Sequence, residues 1–323
     1  MIIAGIIIPF LFSACTQEPV FSYYQEENGK VFDEKFTLKV ADSVRLSLSN
    51  EATFWQYSSH FTETRTEETY YSFLNTNNNS VEYHLLDQIT DSPKVIPLEV
   101  EGENGVGKLN YVCAHLFLNP DSIFIYNINT ANLLLVDTSG MIQKKYVIKD
   151  FYSDNNTPSP RPSDIAPIRK VGNMMYFTCG LFKYPEDLPS NHEAVLALNL
   201  VSGDINYMLP FPQSYNEGFW GSPFKYGCSL EIGPNADRIL MNFLVDPYVY
   251  EADMEGRVVE KHYLGSKYFA EIPSLYAEAS YGNRNDRDFE KEDLFSLSTS
   301  DYVKIMYDKY RKVYYRLAYL RPN

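Results

Sequence analysis

Short aromatic and β-branched runs recur along this chain in pairs, at a nearly constant interval. That interval limits the possible folds more than any other feature. Glu68–Leu74 and Val81–Leu86 flank a polar connection. So do Ser122–Asn127 and Asn132–Val136, Met174–Phe182 and Ala194–Leu198, Arg238–Val245 and Val249–Asp253, and Tyr302–Tyr307 and Val313–Ala318. Each pair reads as a β-hairpin: Asn, Asp, Gly and Pro in the connections favour chain reversal, and the flanking residues favour a pleated, half-buried surface. The turn centres fall at residues 77, 129, 187, 247 and 310, spaced by 52, 58, 60 and 63 residues. A third strand follows three of the pairs, at Gln143–Ile148, Ile205–Leu209 and Val258–Tyr263, each after a turn containing Gly. No stretch sustains the i, i+3, i+4, i+7 apolar spacing of a helix over three turns.

Three or four strands repeated at about 50 residues match the blades of a β-propeller. One blade cannot bury both of its faces, and neighbours around an axis bury them for each other. The predicted fold class is therefore all-β, a β-propeller of the six-bladed type. The intervals exceed a compact blade, so insertions are expected at Asp150–Pro167, Lys183–Glu193, Phe211–Lys225 and Ser266–Asp293. Five units are legible, and the fifth stops after its second strand. The expectation is a propeller incomplete or unclosed at the C-terminus, with an exposed strand edge. Phe36–Val40 or Val44–Leu48 is expected to supply a closing strand. A pair of β-sandwiches is the rival architecture.

Charge excludes some partners. The net charge is −14, so nucleic acid, whose phosphates need a basic face, is not an expected partner, and neither is an anionic lipid surface bound by charge alone. Hydrophobic residues at 45% and charged residues at 22% exclude global disorder. Tyr 27, Phe 20 and Trp 2 make an aromatic load that suits pleated sheet.

Residues 1–14, MIIAGIIIPFLFSA, are apolar throughout. A spanning helix needs about 20 such residues, so the run has the length of a signal-peptide core. It ends at Phe12-Ser13-Ala14-Cys15, which resembles the lipobox of bacterial lipoproteins. By that resemblance Cys15 is lipidated, residues 1–14 are a signal peptide, 15–32 a flexible tether and 33–323 the propeller domain. Membrane attachment is then through the lipid alone, in the cell envelope at the outer membrane, on either face. The first basic residue is Lys30, so the basic start of the signal is expected upstream of Met1. Cys113, Cys179 and Cys228 show no metal-ligand spacing and read as small buried strand residues.

The lipobox, the repeated strand units and the tyrosine load together resemble the uncharacterised lipoproteins of Bacteroidetes with a six-bladed, TolB-like β-propeller. Glu101-Gly102-Glu103-Asn104-Gly105-Val106-Gly107 resembles their Gly-rich inter-blade turn, and Tyr302–Arg316 resembles their strand, D-x-x-R turn and Y-Y-R strand. The resemblance implies a fold and an envelope address, and no catalytic residue or cofactor.

Motifs for chemistry fail one by one. Gly102, Gly105 and Gly107 are followed by an apparent strand, Lys108–His115, and not by the helix a phosphate cradle needs. His192-Glu193 lacks the second His of a zinc-protease helix, because Leu196 stands there. No Ser sits in a G-x-S-x-G elbow. The Asp and Asn clusters lack calcium-loop spacing, and Arg284–Asp293 reads as a solvated loop or short helix. The remaining candidates are ligand contacts. Tyr215, Glu217 and Trp220 gather aromatics beside a carboxylate, and His115 sits on an apparent innermost strand. The expected role is a binding or scaffold module for a peptide, glycan or envelope protein, with no metal and no cofactor. A propeller hydrolase or lyase is the alternative.

Overall fold

The computed structural model describes residues 20–21, 36–37, 43–49, 52, 58–62, 67–88, 92–148, 158–181, 188–221, 223–266, 268–269, 272–276 and 288–321. The chain divides into two units, Met1–Val44 and Arg45–Asn323. In the first, β1 (Val20–Phe21) pairs antiparallel with β2 (Phe36–Thr37). Cys15 and residues 1–14 lie outside the described residues.

The second unit is built from successive antiparallel sheets in chain order. The first holds β3 (Ser58–Thr62), β4 (Thr69–Asn75), β5 (Ser80–Leu85) and β6 (Lys94–Pro97). The second holds β7 (Ala114–Asn119), β8 (Ser122–Asn127), β9 (Asn132–Val136) and β10 (Ile142–Val147). In the third, β11 (Ser159–Pro160) and β12 (Arg169–Val171) both pair with β13 (Met174–Gly180), followed by β14 (Glu193–Asn199) and β15 (Ile205–Pro210). The fourth holds β16 (Cys228–Ile232), β17 (Arg238–Phe243), β18 (Tyr248–Asp253) and β19 (Val258–Tyr263). The fifth pairs β20 (Asp301–Asp308) with β21 (Val313–Tyr319).

Leading strands of neighbouring sheets adjoin: β7 lies against β3, and β20 against β16. Apolar side chains of consecutive sheets merge into continuous cores, one running through the first three sheets and another through the third to the fifth. Meanders that stack in sequence and share their faces are blades, and the fold is a β-propeller. A pair of β-sandwiches would instead place strands distant in sequence side by side. The segment 45–49 carries no ladder. The Ser47 carbonyl instead accepts from His84 Nε2 at 2.8 Å, and Ser49 Oγ donates to Glu82 at 2.6 Å. The closing strand expected at Val44–Leu48 is therefore absent there.

The turns share one device. An Asn or Asp at the turn mouth accepts hydrogen bonds from backbone amides two or three residues on, which fixes the reversal. Asn75 accepts from Asn77, Asn127 from Asn129, Asp137 from Ser139, Asn199 from Val201, Asp246 from Tyr248, Asp253 from Glu255 and Asp308 from Tyr310. The Gly-rich segment 101–107 connects the first two sheets. Asn79 donates to the Leu98 carbonyl at 3.0 Å and accepts from Leu109, and Asn127 donates to the Val106 carbonyl at 2.8 Å. At Gly140, φ is +79°, and a Cβ would stand 2.1 Å from the Pro97 carbonyl oxygen, so only glycine fits. The strand expected from Lys108 begins only at Ala114, because Asn110 starts a further tight turn and accepts from Val112.

One helix, α1 (Phe289–Ser298), is capped by Asp288, which accepts from the Lys291 amide at 3.0 Å. Tyr302 and Ile305 of β20 bond to the fourth sheet through the Leu244 carbonyl, the Asn242 side chain and Ser229 Oγ, and Arg316 of β21 adds a dense polar tie. Its guanidinium donates to Asn242 Oδ1 at 2.6 Å, to the Pro247 and Leu264 carbonyls at 2.7 and 2.9 Å, and to the Asp246 carbonyl at 2.6 Å. It also lies 3.7 Å from the Tyr302 ring centre. Burial brings its pKa down to about 10, so it stays charged at neutral pH. Arg316→Met takes this donor from the Asn242 side chain and the Asp246 carbonyl, both in buried residues, and is expected to cost about 3–5 kcal/mol of unfolding free energy, read from urea denaturation. Arg311→Met, which removes a solvent-exposed pair with Asp308, is expected to leave the urea midpoint unchanged.

Candidate functional site at the leading strands

Arg169 on β12, Glu231 on β16 and Lys304 on β20 come from the leading strands of three successive sheets. Arg169 Nη2 donates to Glu231 Oε2 at 2.7 Å, across 62 residues of sequence. Lys304 Nζ donates to the Asp164 carbonyl at 2.9 Å. Burial raises the Glu231 carboxyl above its ordinary value, and the Arg169 charge opposes that rise. Burial lowers the Lys304 ammonium, and the neighbouring Arg169 charge lowers it further. The two cations and the carboxylate are half-buried, so their charge pattern is partly stripped of water without being sealed off.

The sequence candidates take other places. Tyr215 sits in a 3-10 turn and is fully buried, and Trp220 is 6% exposed. The Tyr215 hydroxyl donates to the Lys225 carbonyl at 3.0 Å, and its ring meets Phe211, Trp220 and Tyr226 at centroid distances of 5.4, 5.6 and 5.3 Å. A tyrosine whose hydroxyl finds an internal acceptor can be buried whole. That corrects the reading of Tyr215 and Trp220 as a ligand platform: they are core. Glu217, next in the loop, is exposed.

His115 lies on β7, the leading strand of the second sheet, and is fully buried. Its Nε2 is 2.8 Å from Ser72 Oγ on β4, so it ties the first two sheets together. Burial alone drops its pKa from 6.5 to about 3, which keeps the ring neutral at physiological pH. No carboxylate accounts for that shift, and the convergence of His115 with acidic groups that a hydrolase or lyase would use is not what the shift reports.

An open pocket of about 440 Å³ lies between α1 and β20, walled by Phe224, Lys225, Leu244, Leu297, Asp301 and Arg321. Its buried cation is already engaged: Lys225 Nζ pairs with Asp301 and donates to the Thr299 carbonyl at 2.8 Å. Cys113, Cys179 and Cys228 are free and buried, and burial pushes the Cys228 thiol up to about 12, which makes it unreactive.

His115 has a measurable signature. In the unfolded chain it takes a proton near pH 6.5, and in the folded chain only near pH 3, so its contribution to stability is complete above 6.5 and is lost as pH falls toward 3. His115→Gln is expected to flatten the fall of the urea midpoint between pH 6.5 and 4.

The family model described as a domain of unknown function (DUF4221) matches residues 32–323. No curated protein matches the chain. Among solved structures, a DUF4221 member from Bacteroides vulgatus is similar at 18% identity and TM-score 0.67, covering 84% of this chain and 74% of its own. A candidate exported protein of Bacteroides fragilis is similar at 11% identity and TM-score 0.51, covering 85% of this chain and 74% of its own. At such identities the likeness carries the fold. Among the described residues, no helix is long and apolar enough to cross a membrane. With a family model spanning nearly its whole length, this chain belongs to the DUF4221 family.

Proposed function

We propose that the chain is a non-catalytic binding module of the cell envelope. It is a propeller of the six-bladed type, tethered by lipid at Cys15, and it engages a peptide, glycan or protein partner where Arg169, Glu231 and Lys304 meet. The observation that carries this reading is the junction itself. Three sheets each bring one charged group to it, and the group at the centre is a carboxylate raised by burial and held by Arg169. Fixed, partly desolvated charges discriminate among polar ligands more sharply than a solvated surface does. Glu217, exposed on its loop, is available as an outlying contact.

The junction supports binding better than catalysis. Its shifted carboxylate is paired with an arginine, and an acid–base pair needs a proton donor and acceptor of matched affinity. The address rests on the Phe12-Ser13-Ala14-Cys15 run, with this chain's fold likeness to a candidate exported protein of Bacteroides fragilis beside it.

Two measurements test the proposal. Bait bearing Arg169→Ala together with Lys304→Ala is expected to lose the partner that the unaltered protein captures from detergent-solubilised envelopes. Equal capture by both proteins overturns the placement of the site. Labelled palmitate fed to cells is expected to mark the unaltered chain and not Cys15→Ala; label retained in the variant overturns the anchor.

A further inference from the structure

The fourth sheet carries a straight row of carboxylates. Glu231 on β16 is paired with Leu240 on β17, Leu240 with Glu251 on β18, and Glu251 with Glu260 on β19. Directly paired residues share a face of a sheet, so all three glutamates stand on one face. Leu240 packs with Ile305 and Tyr314, so that face is turned toward the fifth sheet. Burial first, then the charges of Tyr307, Glu231 and Glu251, push the Tyr314 hydroxyl up to about 12.

Arg169 answers the inner carboxylate, Glu231. The outer two face each other across the ladder, an arrangement that repels unless a cation stands between them. Lys261 does not supply it. It points to the opposite face, with its ammonium 3.8 Å from the Tyr248 ring centre. His262 stands two residues beyond Glu260, on the same face as the glutamates. Its Nε2 is 3.2 Å from Glu251 Oε2, and its Nδ1 is 3.8 Å from Glu260 Oε1. A neutral imidazole has one N–H, so it can donate to one of these carboxylates and turns a lone pair toward the other.

Lone pair and carboxylates together are a ligand set. One nitrogen and one oxygen from each glutamate lie within 4.8 Å of one another, while ligands of a bound zinc ion stand about 3–4 Å apart, a gap that side-chain torsions close. Arg238 Nε holds the other oxygen of Glu251 at 3.2 Å, as outer-shell groups orient metal-binding carboxylates. We propose that Glu251, Glu260 and His262 form a site for a divalent transition-metal ion of the zinc class, clamping β18 to β19 and leaving open positions for water. Imidazole with carboxylates suits such an ion, whereas magnesium and calcium favour all-oxygen sets.

The test is calorimetric titration of the metal-free chain, in a Cys15→Ser background so that the N-terminal thiol does not compete, with ZnCl2 and separately with MgCl2. One Zn²⁺ per chain is expected to bind saturably, and Mg²⁺ not to. Glu260→Gln and His262→Ala are each expected to weaken Zn²⁺ binding at least about tenfold, with far-UV circular dichroism and the metal-free melting midpoint unchanged. Absence of saturable Zn²⁺ binding, equal binding of Mg²⁺, or unaltered affinity in both variants overturns the site.

Discussion

The guanidinium of Arg316 ties the fifth sheet to the fourth, beside the bonds that Tyr302 and Ile305 of β20 make to it. A two-stranded sheet has little apolar area of its own, and isolated hairpins are marginal in water. Here β20 and β21 are held to the fourth sheet by a cation that reaches the turn between β17 and β18, the carbonyl that follows β19, and the Asn242 side chain. Of these acceptors, Asn242 and Asp246 belong to buried residues, and once the fifth sheet covers them they need a donor from the protein in place of water. The pairing therefore works in both directions: the turn needs the arginine, and the arginine, taken out of water, needs the turn. Its docking places β20 against β16, which brings Lys304 beside Arg169 and Glu231.

Much of the fold was legible in the residues because hairpin chemistry is local. Asn and Asp at turn mouths act on amides two or three residues away, so the runs Ser122–Asn127, Asn132–Val136 and Val258–Tyr263 coincide with β8, β9 and β19. The leading strands were harder. β12 has three residues and β11 has two, too few for a visible alternation, and their partner β13 decides their course. The helix α1 was legible only in part, as the solvated loop or short helix read over Arg284–Asp293, for another reason. It buries Glu292 and Ser296 and leaves Leu294 and Leu297 65% and 68% exposed, so it has no apolar stripe toward the core. Its place is set by backbone approach at Gly221, where a Cβ would meet the Glu292 carbonyl at 2.8 Å.

The site residues divide along the same line. Tyr215 and Trp220 stood out because aromatic residues beside a carboxylate look like a recognition surface, and composition carries no information about which way a ring points. The Lys225 carbonyl that accepts from Tyr215, ten residues away, makes that ring a core element. Arg169, Glu231 and Lys304 had no local signal. Each is one charged residue in an ordinary strand, and 62 residues separate even the pair that makes the salt bridge.

The net charge of −14 bears on how both clusters work. In a strongly acidic protein, carboxylates gathered on one face raise the local cost of every further negative charge, and the fold must answer them with cations or leave them to water. At the inner end of the fourth sheet the answer is built in: Arg169 neutralises Glu231, and Lys304 adds a second positive charge beside it. At the outer end Arg238 pairs with Glu251, and Glu260 stands 3.8 Å from the His262 ring. One sheet face thus ends in two different electrostatic states, a saturated junction at the leading strand and an under-compensated one at the rim. A group that binds at the inner end must compete with an existing ion pair, which favours ligands carrying their own paired charges. A group that binds at the outer end supplies missing positive charge, which favours a metal cation.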